Sequence, residues 1–217
     1  MIQSIDLALA LRQLSARPRL PRADARAREQ ALEMIAGEAL ARPVFGYRIH
    51  SVQAVLGDTI EAGDAALDAP ALAAGIGEVK AMAAAACTLG AAVQERISLL
   101  FATRRRSLAL ALDTVTNELL FRLADRAVAA IRREARRSGL HIGIEAGPGD
   151  PGVPLGQQAR VLALADAARI GVHATGAGML SPMKSLSLLA ALGPAPRRRA
   201  AAGRCACCPS AGRCAMT

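Results

Sequence analysis

The 217-residue sequence contains no tryptophan, one tyrosine (Tyr47) and three phenylalanines. Its core must therefore be assembled from Ala, Leu, Ile and Val, whose small side chains let backbones approach closely at ordinary packing density. The same shortage argues against a single-strand nucleic-acid binder, which interleaves aromatic stacking platforms with its positive charge. Nucleic acid is thus not an expected partner, in spite of a formal charge of +9. Lysine is nearly missing too, at Lys80 and Lys184 only, so the excess charge is arginine. It is clustered at Arg104, Arg105 and Arg106, at Arg132, Arg133, Arg136 and Arg137, and at Arg197, Arg198 and Arg199. Such runs are solvated faces or contacts for an acidic partner.

Long apolar runs are lacking as well. Residues 81–89 and 108–112 fall far short of the roughly 20 residues that span a bilayer. Residues 1–14 contain Asp6 and show no basic start followed by an apolar run and a small-residue cleavage site. A cytoplasmic protein without a membrane partner is expected. Neither a Gly-x-x-x-x-Gly-Lys-Ser/Thr nor a Gly-x-Gly-x-x-Gly loop follows a strand, which excludes the common nucleotide-binding loops. His50, His141 and His173 stand alone in sequence, so no metal-binding histidine pair is present.

Hydrophobic residues make up 53% of the chain, enough for a sizeable core. Apolar periodicity predicts a short helix before Pro18, an amphipathic helix over 23–41, and a strand over 44–52. Strand 59–62 follows a Gly57-Asp58 turn, and Asp68 and Pro70 introduce a helix over 68–75. Residues 79–88 are small and apolar throughout and are read as a central strand, against the helix preference of alanine. Helices are predicted over 91–102 and 107–137, the second open to a break near Asp113 or Asn117. A strand at 141–144, a Gly/Pro loop over 147–154, a helix over 155–168, a strand over 170–174 and a final strand over 184–192 complete the pattern. This alternation, without regular βαβ units, indicates an α+β single domain over 1–193, a mainly antiparallel sheet covered by helices. An Arg/Cys-rich tail over 194–217 follows.

Two features carry chemistry. The loop holds Gly147, Gly149 and Gly152, which admit positive φ and close approach of a ligand to the backbone; an ordinary strand-to-helix connection explains them equally well. In the tail, Cys205, Cys208 and Cys214 form Cys-x2-Cys-x5-Cys, with Cys207 as a fourth thiolate. That spacing suits zinc or an iron–sulfur cluster, with an unliganded thiol-rich tail as the alternative. Cys87 reads as a small buried hydrophobe.

Four segments, in order, resemble the activation domain of cobalamin-dependent methionine synthase. They are Asp58-Thr59-Ile60 with Ala86-Cys87-Thr88-Leu89-Gly90; the run 108–113 with Leu123-Ala124-Asp125; the loop Pro148-Gly149-Asp150-Pro151-Gly152-Val153-Pro154-Leu155 with Gln157 or Gln158 behind it; and Ile170-Gly171-Val172, Met179 and Pro182-Met183-Lys184-Ser185-Leu186-Ser187. The resemblance covers residues 1–193 and implies the fold of that family. It also implies a function: presenting S-adenosylmethionine to a reduced cobalamin, in trans on a separate corrinoid methyltransferase, with a flavodoxin-like or ferredoxin-like reductant. On this reading Glu145, Gly147, Gly149 and Asp150 line the donor pocket, and Lys184 reaches an anionic group of the ligand or corrin. The alternative is a non-catalytic corrinoid-protein-binding module or an electron relay through the cysteine tail. The chain departs from the family where an arginine engages the ligand carboxylate, here Glu145, where an aromatic follows Pro-Gly, here Asp150, and at Gly176-Ala177, where a polar pair is usual. A carboxylate cannot replace a guanidinium at such a position.

Overall fold

The computed structural model describes residues 1–15, 22–74 and 78–194. The chain runs β1 (Ile2–Ser4), α1 (Leu7–Ser15), α2 (Arg22–Gly37), β2 (Val44–Leu56), β3 (Thr59–Ala62), β4 (Ala65–Asp68), α3 (Pro70–Ala74), β5 (Ala81–Thr88), α4 (Ala92–Ala102), α5 (Arg106–Arg137), β6 (His141–Ala146), α6 (Gln158–Leu164), β7 (His173–Ala174), β8 (Leu180–Ser181) and β9 (Ser185–Gly193). The fold is α+β, as the sequence indicates. The Arg197 to Arg199 run and Cys205, Cys207, Cys208 and Cys214 lie outside the described residues.

The main sheet is antiparallel in the order β4-β3-β2-β5-β9-β6, with β1 paired to the start of β2. β5 is central, and all eight of its residues are buried. Its odd-numbered side chains, Ala81, Ala83, Ala85 and Cys87, join the core formed with α1, α2, α4 and α5. Its even-numbered ones, Met82, Ala84 and Ala86, join a second core under α3 and α6. Helices on both faces explain why this strand is a continuous apolar run and not an alternating one. Alanine suits the place because each face must admit a helix closely, and the ladders to β2 and β9 override its helical preference.

α1 begins where Asp6 Oδ1 accepts the Leu9 N–H at 3.0 Å, a side-chain cap. α5 runs unbroken for 32 residues, burying Leu108, Leu112, Val115, Leu119 and Leu123 at intervals of three or four. The break allowed for near Asp113 or Asn117 does not occur, because the two side chains bond along one face: Asn117 Nδ2 donates to Asp113 Oδ2 at 3.1 Å. α2 is fixed to α5 by a buried bidentate ion pair. Arg28 donates to Glu118 Oε1 at 3.0 Å and Oε2 at 2.6 Å, and also to the Leu14 carbonyl at the end of α1 at 2.8 Å.

Three expectations are corrected. The segment 155–168 is not one helix: a 3₁₀ turn at Leu155–Gln157 leads into α6, which stops before Asp166 in the left-handed region at φ 53°. Ile170 belongs to a second 3₁₀ turn, and only His173–Ala174 of the predicted strand 170–174 pairs, with β8 in a separate small hairpin. Gly171, at φ 73°, separates the two. β4 was not predicted; it pairs with β3 around the Gly63-Asp64 turn.

Candidate functional site

The Gly/Pro loop leaves the end of β6, where Ala146 pairs with Leu189 of β9. Asp150 closes it. Its Oδ2 accepts the Gly147 N–H at 2.7 Å, its own N–H donates to the Gly147 carbonyl at 2.9 Å, and its carbonyl accepts the Val153 N–H at 3.0 Å. Gly149 N–H donates to Val153 O at 2.8 Å. Four of the loop's N–H groups are therefore committed inside it, and the loop is a preformed shelf, not an open anion cradle.

Its glycines answer to different constraints. Gly149 has φ +95°. At Gly147 a Cβ would stand 2.9 Å from the Ser187 carbonyl oxygen. Beneath it Gln158 Nε2 donates to Ser187 Oγ at 2.7 Å, so a buried polar seam supports the loop.

Leu155 joins this loop to the β7–β8 hairpin. Its side chain is 3.9 Å from where a Cβ on Gly149 would be and 3.7 Å from the equivalent point on Gly178. The hairpin tip is closed by Thr175, whose N–H donates to Met179 O at 2.8 Å and whose Oγ1 accepts the Met179 N–H at 3.2 Å. Leu155, Met179 and Met183 present 45%, 57% and 62% of their surfaces to solvent. Exposed apolar side chains thus stand at the end of the loop and on the hairpin, of the kind that marks a docking surface.

Glu145 points to the α5 side of β6. Its Oε1 lies 3.8 Å from an Arg132 guanidinium nitrogen, with both side chains partly exposed. A positive group from the helix therefore stands beside the carboxylate. Lys184, just before β9, is turned to the same helix: Nζ donates to Asp113 Oδ1 and Asn117 Oδ1, each at 2.6 Å, and its side chain is 7% exposed. The structure brings Gly147, Gly149 and Asp150 together in one loop and places Glu145 two residues before it, on the α5 side of β6. The Lys184 amine is engaged by α5.

No protein-family model matches the chain, and no curated protein does. Among solved structures, a crystal structure of the MetH reactivation domain bound to AdoHcy is similar, with a TM-score of 0.67 and 16% identity, covering 92% of this chain and 80% of that one. The fold is that of the MetH reactivation domain. The fold implied by the four sequence segments is thus the one found.

Arg132, Leu155, Met179 and Met183 were not singled out as site residues from sequence. Arg132 sits in a basic run that reads as a solvated face, and its position beside Glu145 depends on how α5 packs over β6. The three apolar residues belong to the segments that carry the resemblance, but their common exposure is not readable from sequence. Among the described residues, no group of three or more His, Cys, Asp or Glu side chains could hold a metal ion. No described helix is long and apolar enough to cross a membrane.

Proposed function

We propose that this protein serves the reductive reactivation of a corrinoid methyltransferase, acting in trans on a separate cobalamin-carrying protein and presenting S-adenosylmethionine to its reduced cofactor. The observation that carries this reading is the fold match over 92% of the chain to a domain crystallised with AdoHcy. The residues present fit such a ligand. Its amino-acid end bears both an ammonium and a carboxylate, and Arg132 and Glu145, 3.8 Å apart, offer one charge of each sign. Arg132 thereby supplies the guanidinium that Glu145 removes from the family's position. Asp150, exposed and fixed by its bond to Gly147, stands on the loop beyond the end of β6 and adds a carboxylate that favours a cationic sulfonium.

S-adenosylmethionine, when bound, would supply an electrophilic methyl group. The chain's own contribution is positional. Glu145 and Arg132 hold the amino-acid end, Gly147 and Gly149 keep the shelf free of side chains, and Leu155, Met179 and Met183 dock on the partner and exclude water. Lys184 acts indirectly, tying the start of β9 to α5. The reductant is a flavodoxin-like or ferredoxin-like protein.

Calorimetric titration of the full chain with S-adenosylmethionine tests the reading. Micromolar binding that weakens at least tenfold in both Arg132→Gln and Glu145→Gln is expected, together with methylation of a separately added, reduced corrinoid protein seen in its visible spectrum. Absence of binding at millimolar ligand would overturn it.

The internally closed loop favours a second reading, a non-catalytic corrinoid-protein-binding module whose Cys205, Cys207, Cys208 and Cys214 hold either an iron–sulfur cluster that relays electrons or a zinc ion that only clips the tail. Stoichiometric metal in anaerobically purified protein, with no S-adenosylmethionine binding, is its signature.

A further inference from the structure

A groove of about 320 Å³ lies away from the Gly/Pro loop, between α2 and the turn joining α4 to α5. Its lining includes Arg26 and Gln30 of α2 with Arg104, Arg105, Arg106 and Ser107 of the turn and the start of α5, and among the described residues no carboxylate or aromatic side chain. None of the four arginines has a carboxylate partner among the described residues. All four are exposed, and their summed positive charge over one groove attracts an anion.

Two further details mark the place. Arg104 sits at φ 60°, in the left-handed region where a helix end normally carries glycine, and its N–H donates to Phe101 O at 3.0 Å. An arginine in that conformation is strained. In addition, α5 opens without an acidic residue in its first turn or a side-chain cap, so the positive end of a 32-residue helix adds to the arginines.

We propose that this groove binds a small-molecule anion of the diphosphate class. Guanidinium groups pair bidentately with phosphate oxygens, which suits four of them around so small a volume. Without an aromatic side chain the groove has no platform for a base, so recognition lies in the phosphates. The inference does not rest on the corrinoid reading.

The test is calorimetry of the full chain with inorganic pyrophosphate at near-physiological salt. Micromolar binding is expected, weakened at least tenfold in Arg106→Ala and in Arg104→Gly. The second variant relieves the strained turn, so its melting temperature should be unchanged or higher, which separates lost binding from lost folding. S-adenosylmethionine binding should be the same in both variants as in the parent. Equal affinity for sulfate, tighter binding of a mixed-sequence oligonucleotide than of pyrophosphate, or unaltered pyrophosphate affinity in both variants would each overturn the proposal.

Discussion

Lys184 and Asp113, 71 residues apart, meet at 2.6 Å and fasten the start of the last strand to the long helix. The lysine is buried and the aspartate partly exposed, so the two ends of the pair differ in what their removal does. Asp113→Ala strands a buried ammonium with Asn117 as its remaining side-chain acceptor, and should cost about 2 kcal/mol, a value reduced for the solvent that already reaches Asp113. Lys184→Met removes the buried charge while keeping the volume, and should cost no more than about 1 kcal/mol. Urea denaturation of both variants checks the ordering; a larger loss for Lys184→Met would mean the amine has a further role.

Arg28 and Glu118 present the more symmetric case, both buried and joined by two hydrogen bonds. Either single truncation to alanine breaks the buried ion pair and should cost about 3–5 kcal/mol. The pair also ties the end of α1 through the Leu14 carbonyl, so Arg28→Ala should loosen α1 in addition. Replacing both by apolar residues, Arg28→Met with Glu118→Leu, should recover most of the loss. A double-mutant cycle by denaturation measures the coupling, and additive single effects would contradict it.

The same contacts show which parts of the molecule are written in local sequence. β5 was legible because its run of mostly small apolar residues, Ala81 to Cys87, leaves few options once a sheet is assumed; its depth, with Ala84 and Ala85 at 0% exposure, follows from helices on both faces. β4 was not legible, since Ala65-Ala66-Leu67-Asp68 has no β-branched residue and pairs only because β3 precedes it across a tight turn. Ile170 misled in the other direction: an Ile-Gly-Val triplet looks like a strand, yet left-handed Asp166 and Gly171 fold the chain into a 3₁₀ turn around it. At the site, the Gly/Pro loop could be read because its residues are contiguous. The Arg132–Glu145 pair and the Leu155–Gly178 contact could not, because each joins residues from separate elements through tertiary packing.

Tyr47 provides a pH-dependent check on the α5 side of the sheet. Its hydroxyl donates to Glu134 Oε2 at 2.6 Å, and burial first, then this bond and the nearby negative charge, push its pKa well above the ordinary 10.0. Folding therefore favours the protonated phenol. Its contribution is complete below pH 10 and is lost as pH rises from there toward the folded value, because the unfolded chain ionises first. Tyr47→Phe should cost about 1 kcal/mol at neutral pH, where the hydrogen bond is lost, and should decline less steeply than the parent above pH 10. Parallel slopes for the two proteins in alkaline unfolding would show that the phenol does not titrate late.

Gly152 tests whether the loop is held in place by α3. Its φ is +82°, and a Cβ there would stand 2.4 Å from the Ala71 Cβ, beside the Gly152 carbonyl that accepts the Ala71 N–H at 3.3 Å. Gly152→Ala therefore meets both backbone strain and collision, and should cost about 2–4 kcal/mol. Gly139, at φ +69° with nothing within 4 Å, isolates the backbone part, and Gly139→Ala should cost only about 1 kcal/mol. Adding Ala71→Gly to Gly152→Ala removes the closest contact but leaves the Ala71 backbone nitrogen and Cα at 3.0 and 3.2 Å, so the double variant should recover only part of the loss and stay above the Gly139→Ala value. Thermal unfolding of the set separates the two causes. Equal losses at Gly152 and Gly139 would mean that the loop yields to the new methyl group, and that its shape is set by the Asp150 bonds alone and not by packing on α3.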